Sequence, residues 1–226
     1  MNETFLREVD ENLRRDQLED FFKRYGSWLI VAVVVFLAAS GGFIWWKQHE
    51  IQRSAEEVET LAAIYKDVGS GKMDQAPQQL ADLSKSGSKA VRASASFARA
   101  AVAIQQNDTK LAVSTYKSIA DDSDLPSAYR DAALIRQTAL EFDQLQPADV
   151  IARLKPLAKA GDPWFGSAGE MTALALVKQG KRQEAGQLYA AIAKDPGVPQ
   201  TIRARAIQVA GSLGVDASSA IPTKAQ

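Results

Sequence analysis

The chain has 226 residues with Lys+Arg and Asp+Glu at 27 each, so its formal net charge is zero, and it contains no cysteine. Balanced charge gives no net field to draw nucleic acid or an acidic substrate, and no basic, aromatic-interleaved patch is visible. Without cysteine there is no thiol nucleophile, thiolate metal site or disulfide; an oxidising compartment is permitted but not required.

Residues 1–24 carry mixed charge. Within Phe5 to Tyr25 the apolar positions Leu6, Val9, Leu13, Phe21 and Tyr25 fall on or near one helical face. That pattern suits an amphipathic helix on a membrane or against a cytoplasmic partner, and equally a solvated extension of the apolar run beyond it.

From Tyr25 to Trp46 no charged residue occurs; the run lies between Arg24 and Lys47 and ends in Trp45-Trp46. As a helix it would reach roughly 33 Å, against about 30 Å of hydrocarbon core. Residues 25–46 are therefore expected to be a transmembrane signal-anchor. A cleaved signal peptide fits less well, because the small cluster Ala38-Ala39-Ser40 sits inside the apolar run rather than after it. Ala38 and Gly42, four apart, could let a second membrane helix pack closely. Arg7, Arg14, Arg15, Lys23 and Arg24 precede the span, whereas only Lys47, Arg53 and Lys66 come closely after it. This excess predicts a cytoplasmic N-terminus and an exported C-terminal body. Lys47-Gln48-His49 is expected to be a short linker.

Residues 47–214 read as an all-α domain. Ala, Leu, Gln, Lys and Glu dominate, Gly or Pro recurs at intervals, and apolar residues are spaced three and four apart, as at Val58, Leu61, Ala62 and Tyr65, and around Leu174. One set of offsets (five, four, three) repeats. It links Gly180, Ala185, Tyr189 and Ile192; Asn107, Ala112, Tyr116 and Ile119; Gly71, Ala76, Leu80 and Leu83; and, less clearly, Leu145, Val150, Leu154 and Leu157. A period of about 35 residues in a helical chain means stacked hairpins. The Gly or Asn ends a first helix in a left-handed turn, the small residue lets the second helix approach, and the large ones fill the groove between them. Hairpins are expected at roughly 50–86, 88–122, 125–160 and 163–195, with a capping helix from about Pro199 to Leu213. Asp216 to Gln226 is polar and Ala/Ser-rich, and residues 215–226 are expected to be a disordered tail.

The repeat resembles the tetratricopeptide repeat, best at Gly180, Ala185, Tyr189 and Asp195-Pro196, although the Trp/Leu/Gly/Tyr signature of that family's first helix is mostly missing. The expected fold is thus a single N-terminal transmembrane helix followed by a tetratricopeptide-like α-solenoid of about four hairpins plus a cap. Such repeats present surface rather than chemistry, usually along an extended concave face of the first helices. Tyr65, Phe97, Tyr129, Trp164 and Phe165 are the candidate partner-binding side chains. Trp164-Phe165 leads, because it comes after Gly161-Asp162-Pro163 at a helix start where a large ring is expected to stay partly exposed. No catalytic residue, cofactor site or metal site is expected. The one histidine, His49, sits beside Trp45-Trp46 as an interfacial polar side chain, and clusters such as Asp121, Asp122 and Asp124 suit helix caps and solvated surface.

The order of parts resembles one bacterial family, the ancillary SecYEG translocon subunits (YfgM-like proteins). The matching residues are Asp20-Phe21-Phe22-Lys23-Arg24-Tyr25-Gly26, the anchor end Trp45-Trp46-Lys47, and Gly-Lys-Arg-Gln-Glu-Ala at 180–185. The resemblance implies a single-pass inner-membrane protein with a periplasmic domain, associated with the Sec translocon and a periplasmic chaperone and assisting newly exported, unfolded polypeptides. It implies no nucleic acid, small-molecule substrate or cofactor. The alternative is a membrane-tethered scaffold for cell-envelope assembly or division.

Overall fold

The structure is a computed structural model that describes residues 3–218; for residues 3–27 and 29 it describes the backbone alone. The expected amphipathic face at Leu6, Val9, Leu13, Phe21 and Tyr25 lies outside the described side chains. Among the described residues there are nine α-helices and no strand, and the chain divides into two compact units, residues 1–56 and 57–226.

The first unit is formed by helix α1 (Glu3–Gly69). Lys47, Gln48 and His49, expected as a linker, are helical within it. No Gly or Pro occurs from Phe43 to Val68, and Glu, Gln, Lys and Ala there are good helix formers, so nothing local stops the helix. Part of α1 is long and apolar enough to cross a membrane: mean hydropathy reaches 1.8, with none of that stretch buried inside the protein. Trp28, Phe36, Ile44 and Trp45 are all exposed there, as suits a helix whose apolar side chains have no protein neighbour. His49 stacks on Trp45, with ring centroids 6.0 Å apart and planes 9° from parallel.

The second unit begins with the end of α1 and continues through α2 (Ala76–Leu83), α3 (Lys89–Gln105), α4 (Thr109–Asp121), α5 (Ser127–Glu141), α6 (Pro147–Leu154), α7 (Phe165–Lys178), α8 (Arg182–Lys194) and α9 (Gln200–Ser212). These make four hairpins and a final helix. The hairpin tips are built as the repeat pattern requires. Gly71, Asn107 and Gly180 are left-handed, at φ 86°, 61° and 78°. At each, two backbone bonds close the first helix: Gly71 N to Val68 O (3.0 Å) and Lys72 N to Asp67 O (2.9 Å); Asn107 N to Ile104 O (3.0 Å) and Asp108 N to Ala103 O (2.8 Å); Gly180 N to Val177 O (2.9 Å) and Lys181 N to Leu176 O (2.9 Å). This is the Schellman arrangement, which satisfies carbonyls the helix would otherwise leave unpaired. Asp108 then caps α4 by accepting from Leu111 N at 2.9 Å. The third tip departs from the pattern. Gln144 N and Leu145 N both bond to Glu141 O, at 2.9 and 3.0 Å, Leu145 packs as a half-buried apolar anchor, and Pro147 starts α6.

The residue five past each turn is buried: Ala76, Ala112, Val150 and Ala185. The core runs as four successive clusters, each joining a first helix, its second helix and the next first helix. Leu61, Leu80 and Ala98 belong to the first, Ala93, Tyr116 and Ala133 to the second. Ile135, Leu154 and Ala168 belong to the third, Leu176, Ile192 and Ala206 to the fourth. Stacking each hairpin on the next is how a solenoid makes one continuous core from units that cannot bury their own faces.

The loops leaving α4 and α8 share a device. Asp122 Oδ1 accepts from Asp124 N (3.0 Å) while its Oδ2 accepts from Arg92 Nε (3.3 Å). Asp195 Oδ1 accepts from Gly197 N and its Oδ2 from Gly161 N, both at 2.8 Å. Each carboxylate shapes its own loop and ties it back to the start of the same hairpin. The signal was present in the sequence as Asp122-x-x-Leu125-Pro126 and Asp195-x-x-Val198-Pro199.

The tail expectation needs correction at its beginning. Gly214 (φ 85°) repeats the Schellman closure after α9, through Gly214 N to Gly211 O (3.0 Å) and Val215 N to Ala210 O (2.9 Å). The chain turns back, Val215 packs on the last cluster, and Ala217 is 2% exposed. The contact rests on Gly186 of α8, where an added Cβ would lie 2.6 Å from Val215 Cγ2. Val215 and Leu213 meet the gap that this glycine leaves. Residues 219–226 of the expected tail lie outside the described residues.

Gly180→Ala should cost about 1–2 kcal/mol because it forces a side chain into the left-handed turn, whereas Asn107→Gly should leave stability equal or slightly higher. Gly186→Val should cost about 1–3 kcal/mol through overpacking against Val215. Thermal unfolding of the full chain followed by circular dichroism checks all three. A Gly180→Ala melt at or above the wild type would contradict the turn geometry.

Candidate partner-binding site

The first helices of the second unit are the end of α1 with α3, α5, α7 and α9. On α1, positions 57, 61, 64 and 68 turn toward the core, with Leu61 and Ile64 buried. Val58 and Tyr65, seven apart, stay on the adjoining exposed stripe at 53% and 50% exposure. Apolar spacing in this helix therefore covers two faces, and only one is core. The remaining exposed large hydrophobics among the described residues of the unit are Ile104 on α3 (42%) and Leu174 on α7 (44%). The second helices α2, α4, α6 and α8 contribute none.

One contact joins each first helix to its successor along this face. Tyr65 Oη donates to Ser94 O at 3.3 Å, joining α1 to α3. The Arg136 guanidinium of α5 lies 5.5 Å from the Phe97 ring centroid of α3. Lys178 Nζ of α7 sits 4.5 Å from the Phe142 ring at the end of α5 and 2.8 Å from Asp143 Oδ1. Arg205 of α9 grips Glu170 of α7 with both arms, Nε to Oε1 at 2.7 Å and Nη2 to Oε2 at 2.5 Å. Exposed cation–π and ion-pair contacts of this kind contribute about 0.5–1 kcal/mol each, so they align neighbouring helices more than they stabilise the unit. Partial burial raises the Tyr65 hydroxyl above its ordinary pKa. At Tyr189 the same desolvation raises it, with the Glu170 charge adding and Arg205 opposing. Arg205 is raised in turn by its bond to Glu170. All three therefore keep their protons at neutral pH.

Of the five aromatics singled out in the sequence, Tyr65 and Phe97 belong to this face, and Phe97 also packs on Tyr116 at 5.7 Å between centroids. Tyr129 and Trp164 are half-buried at the N-terminal ends of α5 and α7, where they pack on the core clusters. Phe165 is a core residue at 2% exposure, contrary to the expectation that its ring stays partly open. Gly169 explains it: an added Cβ there would meet Ile192 Cδ1 at 2.9 Å and the Phe165 ring at 3.4 Å, so glycine makes the pocket that takes the ring in. In the first unit Ala38 and Gly42 are exposed, and nothing lies within 4 Å of a Cβ built on Gly42. Val58, Ile104 and Leu174 were not singled out. Ile104 could have been found as seven residues after Phe97, but nothing in the apolar spacing itself separates an exposed stripe from a buried one.

Among the described residues no group of three or more His, Asp or Glu side chains comes together as a metal site. The arrangement offers contact area, held by few polar anchors.

Phe165→Ala should destabilise the domain by about 3–5 kcal/mol, as for an aromatic ring removed from a packed core. Tyr65→Ala should cost less than about 1 kcal/mol, losing one exposed hydrogen bond. Paired melts of the two variants check the assignment; equal losses would mean that Phe165 is not core.

No curated protein and no solved structure matches the chain. A family model described as a tetratricopeptide repeat-like domain matches residues 19–209, most of the chain, starting ahead of the apolar run and ending within α9. The four stacked hairpins, the left-handed tips of three of them and that match agree, and the chain belongs to the tetratricopeptide repeat-like domain family.

Proposed function

We propose that this protein is a membrane-tethered binding module of the bacterial inner membrane. In this reading residues 25–46 are a retained single-pass anchor, residues 1–24 are cytoplasmic and residues 47–214 stand in the periplasm. There the domain docks at the Sec translocon and with a periplasmic chaperone, and assists newly exported chains by holding or recruiting them. The observation that carries it is that the exposed large apolar residues described in the repeat domain, Val58, Tyr65, Ile104 and Leu174, all belong to first helices, whereas the second helices expose none. Covering those side chains with a partner would remove apolar surface from water. Retention of the anchor is supported by the family match, which includes the apolar helix instead of starting after it. The five basic residues before the span against three after it support the orientation. Tyr65 and Phe97 would meet the partner directly, with Tyr129 and Trp164 at the edge. Ala38 and Gly42 would let a neighbouring membrane helix approach.

Full-length tagged protein solubilised in mild detergent should copurify Sec components, and a reporter fused after Gln226 should be active only outside the cytosol. Recovery free of any Sec component rules out the translocon role, and a reporter active in the cytosol rules out the orientation.

A further inference from the structure

We infer that the exit loop of the third hairpin is a strap with two positions, closed by a pair between Arg130 and Asp162. This goes beyond the binding role proposed above and does not rest on it. Three of the exit loops are alike: residues 84–88, 122–126 and 195–199 follow α2, α4 and α8, five residues each, whereas ten residues, 155–164, separate α6 from α7. Pro156 is the cause, since it comes just after Lys155, the C-cap of α6, and lacks the backbone donor that another turn needs. Accordingly α6 has 8 residues, against 13 in α4 and in α8. The added length is pinned near both ends by Leu157 and Trp164, which pack on one core cluster. Between them Lys159, Ala160 and Gly161 are exposed.

Each exit loop carries one side chain placed to tie it back. Ser86 Oγ accepts from Ser88 N at 3.0 Å and donates to Glu57 of α1. Asp122 and Asp195 likewise hold a following N–H with one oxygen and an earlier residue, Arg92 or Gly161, with the other. In the third hairpin Asp162 Oδ1 accepts from Trp164 N at 2.8 Å, which is the first of the two bonds. The residue in the place of Arg92 is Arg130: each stands four residues beyond the N-cap of its first helix, Ser88 or Pro126. Arg130 is half-buried, and among the described residues its Nε is enclosed without a hydrogen-bond acceptor. Leaving a buried donor unmatched is costly, so any movement that brings Asp162 Oδ2 to Arg130 is favoured. Closure fastens the loop to α5. Because Gly161 is already held by Asp195 at the exit of the fourth hairpin, the same pair couples the third hairpin to the fourth and releases it on parting.

Hydrogen exchange of the full chain in phospholipid nanodiscs, followed by mass spectrometry over residues 159–165, reads the opening of the strap. Arg130→Gln and Asp162→Asn should each speed exchange there by about two- to fivefold, as for loss of a partly exposed ion pair. The double variant should be no faster than either single one, since both remove the same pair. Arg203 holds the equivalent place on α9, four residues beyond Pro199, and its Nε is enclosed in the same way. No second helix follows it among the described residues, so Arg203→Gln should leave 159–165 as it was. The inference is overturned if wild-type exchange equals that of the single variants, if their effects multiply in the double variant, or if Arg203→Gln has the same effect. Should Arg130→Gln fail to fold, Asp162→Asn decides alone. Asn keeps an oxygen to hold Trp164 N and loses only the charge, so faster exchange supports the closure and unchanged exchange overturns it.

Discussion

Everything in the second unit depends on how closely paired helices approach at one position per hairpin. Ala76, Ala112, Val150 and Ala185 each sit near the start of a second helix and are buried almost completely. A small side chain there brings the backbones together, and the residues four and seven further on then reach the groove; Tyr116, Ile119, Tyr189 and Ile192 fill it. A larger residue at Ala112 or Ala185 would hold the helices apart and leave those rings and branches facing voids, since interiors have no slack to absorb a misfit. In three hairpins a left-handed tip delivers the second helix at the angle this contact needs; the third hairpin in chain order manages with Leu145 as an apolar anchor and with Val150, one step larger than alanine.

Much of this was legible in the sequence because the constraint is local. Gly71, Asn107 and Gly180 mark tips, the offsets to the buried small residue are fixed, and the observed second helices start at Ala76, Thr109, Pro147 and Arg182, against expected starts near Met73, Thr109, Ala148 and Lys181. The first tip is longer than the others, which moves α2 three residues on. What could not be read depended on neighbours distant in the chain. Phe165 is buried because Gly169 and Ile192 shape a pocket for it, and Val215 finds room because Gly186 lacks a side chain. Neither relation has a period. The exposed stripe was equally hidden, since Val58 and Leu61 belong to the same apolar pattern and only packing sends one outward and the other in.

The two units divide the work along chemical lines. In residues 28–56 apolar side chains are exposed together, which is stable in lipid and not in water. In residues 57–218 the exposed large apolar residues are four, all on first helices, which is ordinary for a surface in water. The contacts between successive first helices keep that face in register, at Tyr65, Phe97, Phe142 and Glu170, without contributing much to stability.

The closure at Gly214 has a consequence for assembly. A stack of hairpins that stopped on a bare first helix would present its unfilled flank to the opening hairpin of another molecule, and head-to-tail addition of that kind runs on into filaments because it never closes. Here residues 215–217 fold back onto the last hairpin, with Val215 seated against Gly186 of α8, and α9 turns Thr201, Ala204, Arg205 and Gln208 to water. Among the described residues α9 therefore exposes no large apolar side chain for a further hairpin to cover.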